Sequence, residues 1–154
     1  MRIGFVLTHR YSIFSMNSFL FIITLFTLWD ASVLLKDMID NATAIENLLE
    51  GVATIFVAYG VALEERDTIM KVFKLYPKLE SPEQGAIDKL CHFYGLSYLL
   101  IGLFMEVVIE IVKLPCRILS NAQAEKAIFI VGLLFCFAAL FSLFKNNYAL
   151  LKKN

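Results

Sequence analysis

Apolar residues fill four long runs of the chain, and charged residues gather between these runs. The runs cover about residues 12–35, 44–63, 91–112 and 127–144. Each is close to the roughly 20 residues that an α-helix needs to cross a bilayer. The pattern predicts an all-α fold, in which residues 1–154 form a single domain built as an antiparallel four-helix transmembrane bundle.

Two of the segments between the apolar runs contain residue patterns that predict where a helix begins. Thr43 and Glu46 have the spacing of a capping box, which predicts that the second helix begins near Thr43. Ser81 followed by Pro82 predicts that the third helix begins well before its apolar run and projects from the bilayer.

A short amphipathic helix is predicted between the second and third runs, over residues 68–76. Ile69, Val72 and Phe73 fall on one of its faces, and lysines lie off that face. Such a helix either lies at the cytoplasmic membrane interface or packs against the end of the bundle, and the sequence favours neither alternative.

Basic residues predict the orientation of the bundle. Four spans place both termini on one side, and that side has ten basic residues against four on the other. Because loops rich in Lys and Arg stay in the cytoplasm, both termini are expected there, in a protein of the bacterial inner (plasma) membrane. The ten are Arg2, Arg10, Arg66, Lys71, Lys74, Lys78, Lys89, Lys145, Lys152 and Lys153.

The second and third runs cannot cross a membrane without carrying acid into it. Their longest uncharged stretches, Gly51–Leu63 and Phe93–Met105, are 13 residues each. Extending them to a full span brings in Glu46 and Glu50 on one helix and Glu106 and Glu110 on the other. Ionisable groups inside a membrane helix are costly, and they mark a functional site by default.

The acids also share faces and depth. At 100° per residue, Glu46, Glu50 and Glu64 lie within about 40° on the second helix, as do Asp88, His92, Glu106 and Glu110 on the third. Five carboxylates are expected near the outer end: Asp30, Glu46, Glu50, Glu106 and Glu110. They predict a site for protons or a hard divalent metal ion, with Glu50 and Glu106 as principal ligands and with His92 and Glu64 as an inner-side relay.

Other interpretations of these acids stay open. They could form ordinary ion pairs with Lys36, Lys113 or Lys126, or pair with basic groups of a neighbour. In the latter case the chain is a non-catalytic subunit of a larger membrane complex of the transporter or respiratory type, or a homo-oligomer. Small residues of the second and third helices, among them Gly60, Gly95 and Gly102, predict that these two helices approach closely.

Composition supports the membrane class and excludes several others. The chain is 59% hydrophobic and 18% charged, against roughly 45–50% and 25% in soluble domains, and its mean hydropathy is +0.71. A formal net charge of zero gives no basic face for nucleic acid, so the bilayer is the expected partner.

Motifs for catalysis are absent from the sequence. Only one histidine, His92, lies in an apolar run, which argues against haem, and no Glu-x-x-His pair supports a di-iron bundle. No Walker, GxGxxG, GxSxG or HExxH motif occurs. We therefore expect a protein that is not an enzyme, with a carboxylate-metal membrane enzyme as the third hypothesis and a divalent metal as the one cofactor to consider.

Overall fold

The computed structural model describes residues 9–74, 82–113 and 122–152, and this part of the chain is helical except at His9, Glu65, Phe73 and Lys74, without strands. The all-α class is therefore confirmed. The helices are α1 (Arg10–Leu34), α2 (Met38–Glu64), α3 (Arg66–Val72), α4 (Pro82–Lys113) and α5 (Ala122–Lys152), and a 3₁₀ turn at Leu35–Asp37 joins α1 to α2.

The 3₁₀ turn folds α1 and α2 into a hairpin. Tyr59 Oη donates a hydrogen bond of 2.7 Å to Asn17 Oδ1, although the two residues are 42 positions apart. In one straight helix they would be separated by about 60 Å, so the chain must reverse between them. The reversal falls at Asp37, whose φ of −115° and ψ of 54° are not helical.

The second helix begins earlier than the capping box predicts. It begins at Met38, so that Thr43 lies inside α2, and Asn41 Nδ2 donates to Asp37 O within the first turns. The prediction was wrong because the tight turn at Asp37 already ends α1 and begins α2. The predicted start of the third helix near Pro82 is confirmed, since α4 begins at that residue. Its predicted Ser81 cap lies outside the described residues.

The four long helices run up and down in the order α1, α2, α4, α5 around the bundle, and the closest packing joins α2 to α4. These two are antiparallel, because Glu50 pairs with Lys113 at one end and Glu64 with His92 at the other. We call the end with the 3₁₀ turn the hairpin end, and the opposite end, with α3, the α3 end.

Glycines set the distance between α2 and α4. A Cβ atom added to Gly60 would lie 2.8 Å from the backbone oxygen of Gly95, and one added to Gly95 would lie 2.8 Å from the oxygen of Gly60. A Cβ on Gly102 would lie 2.8 Å from the oxygen of Ala53. The predicted close approach is confirmed, and it allows contact between backbones where larger residues would hold them apart.

Polar side chains from all four long helices meet in the centre of the bundle. Besides the Tyr59–Asn17 bond, Asn146 Nδ2 donates to Tyr98 Oη at 3.0 Å, and the rings of Tyr59 and Tyr98 stack with centroids 5.8 Å apart. All four residues are buried. Since polar groups in an apolar interior need partners, this central polar layer favours one alignment of the helices over others.

Tyr59→Phe is expected to destabilise the bundle by roughly 1–3 kcal/mol, because it leaves the buried Asn17 Oδ1 without its donor. Tyr59→Phe combined with Asn17→Leu should recover most of that loss, since both polar groups are then gone. Thermal unfolding in detergent micelles measures both variants. A double variant less stable than Tyr59→Phe would contradict this account.

Large apolar side chains cover the outside of the bundle. Trp29 is 71% exposed, Phe26 is 65% exposed, and both Phe141 and Phe144 are 61% exposed. In the described residues, three helical segments are long and apolar enough to cross a membrane, namely Arg10–Glu64, Gln84–Lys113 and Gln123–Lys152. The first has 55 residues, and it contains the whole α1–α2 hairpin.

Candidate functional site: the polar seam between α2 and α4

Polar residues follow the outer edge of the α2–α4 contact, and we call this line the polar seam. Its pairs are, from the hairpin end to the α3 end, Glu50 with Lys113, Thr54 with Glu106, Glu64 with His92, and Arg66 with Asp88. The interior beside the seam is filled by buried apolar and aromatic side chains such as Phe56, Tyr98 and Met105. The acids therefore border the bundle surface instead of lining a central pocket.

Lys113 lies between two of the predicted cation ligands. Its Nζ is 2.8 Å from Glu50 Oε2 and 3.4 Å from Glu110 Oε1. The ammonium group therefore lies between two of the five carboxylates that the sequence assigned to a cation site, and it forms the ordinary ion pairs that were the alternative interpretation. Lys113 is three residues after Glu110, and residues at this spacing are neighbours on a helix. The sequence therefore already indicated an ion pair between these two residues.

Glu106 has different surroundings. Its Oε1 accepts a hydrogen bond of 3.0 Å from Thr54 Oγ1 across the seam, and no Lys or Arg among the described residues forms an ion pair with it. Thr54 lies ten positions from residue 44, near the middle of the second apolar run. Glu106 is therefore level with the middle of the second run, although on its own helix it lies six residues, or about 9 Å, from the end of the third run at residue 112.

The remaining two outer acids lie apart from Glu106. Glu46 is half-buried on α2, where the charges of Lys113, Glu125 and Glu50 act on it. Asp30 is exposed on α1, and in the part of the chain that the structure describes it has no hydrogen bond or ion pair with the other four acids. The structure thus brings Glu50 and Glu110 together through Lys113, and it leaves Asp30 outside this group.

The predicted inner-side relay residues do meet. His92 Nδ1 lies 3.3 Å from Glu64 Oε1, and the imidazole is 63% exposed. One turn further along α4, Asp88 forms an ion pair with Arg66, the first residue of α3. The Arg66 side chain is only 1% exposed.

Arg66 and Thr54 are the seam residues that the sequence did not predict, and Arg66 differs most from its expected role. It was counted among the basic residues of a cytoplasmic loop, whereas it is buried at the α3 end and holds α3 to α4. Asp88 shares the face of His92 on α4, and this was the available signal that an acid there needs a partner.

The geometry limits the chemistry of the seam. No three acid, His or Cys side chains of residues 9–74, 82–113 and 122–152 are grouped closely enough to hold a metal ion. The arrangement does offer the carboxyl group of Glu106, which has a hydroxyl donor and forms no ion pair with a base in the described part of the chain. This group can bind a proton, or pair with a base supplied by a neighbouring molecule.

Comparison with known proteins adds no assignment: no protein-family model matches the chain, and neither the curated proteins nor the solved structures give a match.

Proposed function

We propose that this chain is a small integral membrane protein that crosses the bilayer four times and serves as a non-catalytic subunit of a larger membrane assembly. The length and apolar composition of the helices and the large apolar side chains on their outer surface support membrane insertion. Both termini are proposed to be cytoplasmic, in a bacterial inner membrane, on the basis of the basic residues.

The observation that carries the subunit role is the environment of Glu106. A carboxylate without a charged partner is costly inside an apolar transmembrane run, and such groups normally pair with another group. Within the described residues its one hydrogen-bond partner is the Thr54 hydroxyl. A transmembrane helix that presents Lys or Arg at this depth would supply the missing partner.

The surface next to Glu106 suits such a helix. Gly51, Thr54 and Ala58 are exposed on α2, and a Cβ atom added to Gly51 would have no heavy atom within 4 Å. Small residues let a second helix approach closely enough for van der Waals packing and interhelical hydrogen bonds. Lys113 already balances part of the charge of Glu50 and Glu110. A basic group from a partner would therefore stabilise Glu106 more than either of these two acids.

Glu106→Gln is expected to weaken binding of the partner by about 2 kcal/mol or more, or roughly thirtyfold, because a desolvated charge pair is lost. The measurement is the native mass of the complex in a mild detergent, over a dilution series. Glu110→Gln is the matched control: it is on the same helix, 61% exposed and bonded to Lys113, and it should retain the partner.

A photo-crosslinking residue at position 58 identifies the partner helix, with position 137 on the exposed face of α5 as control. An adduct formed only from position 58 should contain a Lys or Arg opposite Glu106. Replacing that base with Glu should restore binding to Glu106→Lys. A monomeric native mass, or equal adducts from both positions, contradicts the subunit role.

Binding of a proton or a cation at Glu106 is the second candidate function, and the Thr54–Glu106 hydrogen bond is the observation that favours it. The other acids would then assist from the hairpin end. Under this hypothesis, purified protein in liposomes carries protons or a divalent ion, and Glu106→Gln abolishes the flux. Flux that persists in Glu106→Gln, together with loss of the partner, favours the subunit role.

A further inference from the structure

The two turns of α3 have opposite surroundings. Arg66 and Met70 are each 1% exposed, so the first turn and the middle of the helix are packed against the bundle. Val72 and Phe73 are each 69% exposed at the other end. We call these two residues the α3 tip. The short helix thus packs on the bundle, which was one of the two predicted alternatives, and its other end presents apolar side chains outward.

The α3 tip lies close to the end of the membrane-crossing helices. α3 begins two residues after Glu64, and the Arg66–Asp88 ion pair holds its first turn against α4. Eight residues of helix rise about 12 Å, so Val72 can lie no further than this from Glu64 along the axis of α2. Glu65, with φ −87° and ψ 13°, departs from helical geometry and separates α3 from α2.

The charges beside the tip are positive. Lys74 follows it and is exposed, and its positive φ of 53° turns the chain at the end of the helix. Lys71 Nζ is 2.7 Å from Asp67 Oδ2, so part of its charge is already balanced. Basic residues concentrate at this end of the bundle, and anionic phospholipid headgroups are their natural counterpart in a membrane.

We propose that the α3 tip is a lipid anchor, in which Val72 and Phe73 enter the boundary between headgroups and acyl chains and Lys74 binds an anionic headgroup. This arrangement follows the physics of interfacial helices, which bury an apolar face at shallow depth and keep basic side chains at the headgroups. The inference rests on the membrane insertion in the proposed function, but not on the subunit role.

The test uses tryptophan fluorescence in reconstituted vesicles. Trp29 is the one tryptophan of the chain, so the wild type reports on α1, and Trp29→Phe with Phe73→Trp reports on the α3 tip. Quenching by lipids brominated near the headgroup is compared in vesicles of neutral phosphatidylcholine and in vesicles with added anionic phosphatidylglycerol. Phe73→Trp should show blue-shifted emission and strong quenching, both greater in anionic vesicles.

Lys74→Gln is added to the reporter protein that has Trp29→Phe and Phe73→Trp. In anionic vesicles it should lower the ratio of lipid-inserted to non-inserted α3 tip about fivefold, and in neutral vesicles it should leave this ratio unchanged. The matched control is Thr68→Trp in the Trp29→Phe protein, with Phe73 retained. Position 68 is exposed and lies about 140° around the helix axis from position 73, so its tryptophan should be quenched less.

Quenching at Trp29 without quenching at position 73 would overturn the anchor and leave membrane insertion in place. Absence of quenching at both positions would overturn the anchor and insertion together. Blue-shifted emission at position 73 that lipid does not quench, and that fades on dilution of the protein, would mean that a second copy covers the tip, which also overturns the anchor.

Discussion

Gly60→Ala is expected to be among the most damaging single substitutions in the chain, destabilising the bundle by roughly 3 kcal/mol or more. The added methyl group would meet the backbone nitrogen of Leu99 and lie 2.8 Å from the backbone oxygen of Gly95. Overpacking typically costs about 1–3 kcal/mol when side chains can move aside. Here the obstacles are backbone atoms, so relief requires α2 and α4 to separate as whole helices.

Gly51→Ala is the matched control for this substitution. It makes the same chemical change on the same helix, nine residues away, and its new methyl group would have no heavy atom within 4 Å. Since alanine is the better helix former by about 1 kcal/mol, Gly51→Ala should leave stability unchanged or slightly raised. Unfolding of both variants in mixed detergent micelles, followed by circular dichroism, gives the comparison. Equal stability of the two would show that α2 and α4 are not in backbone contact at Gly60.

Separation of α2 from α4 would also change the polar seam, because its paired groups belong to opposite helices. The Thr54–Glu106 hydrogen bond and the Lys113–Glu50 ion pair both cross the glycine contact. Loss of partner binding in Gly60→Ala would therefore follow from the geometry of the seam, without any change in its chemistry.

The helix content, the close α2–α4 pair and the shared acidic faces were predictable from the sequence, since each depends on a periodic pattern or on a residue type with one physical meaning. Gly60 and Gly95 show this well, because glycine in an apolar helix indicates close packing. The contact between His92 and Glu64 likewise follows from helical faces and opposite chain directions.

The chemistry of the acids was less predictable, because it depends on the reach of individual side chains. The faces placed Glu50 and Glu110 together, and the spacing of Lys113 from Glu110 allowed an ion pair, but the pattern did not decide between that ion pair and a bound cation. Arg66 looked like a loop residue, since the sequence predicted the short helix from Thr68 and not from Arg66. The start of α2 differs from the capping-box prediction because the chain reverses at Asp37, where no Gly or Pro marks a turn in the sequence.

Arg66→Met is expected to destabilise the α3 end by about 3 kcal/mol. Removing one member of a buried ion pair leaves the other charge without compensation, which typically costs about 3–5 kcal/mol. The lower figure applies because Asp88 is 21% exposed and retains some contact with solvent. Met keeps most of the apolar volume of the arginine side chain, so the loss reports on the charge pair more than on packing.

Lys71→Met removes the lysine of a surface ion pair on the same helix and serves as the control. Lys71 and Asp67 are 59% and 48% exposed, and exposed pairs of this kind contribute about 0–1 kcal/mol. The double substitution Arg66→Met with Asp88→Leu should recover much of the stability lost in Arg66→Met, because no unpaired charge is left behind. Hydrogen exchange of the α3 amides measures the effect locally, and chemical unfolding measures it for the whole bundle. Unchanged exchange in Arg66→Met would mean that Met70 alone holds α3 in place; faster exchange confined to α3 would identify Arg66 as the residue that fixes this helix against α4.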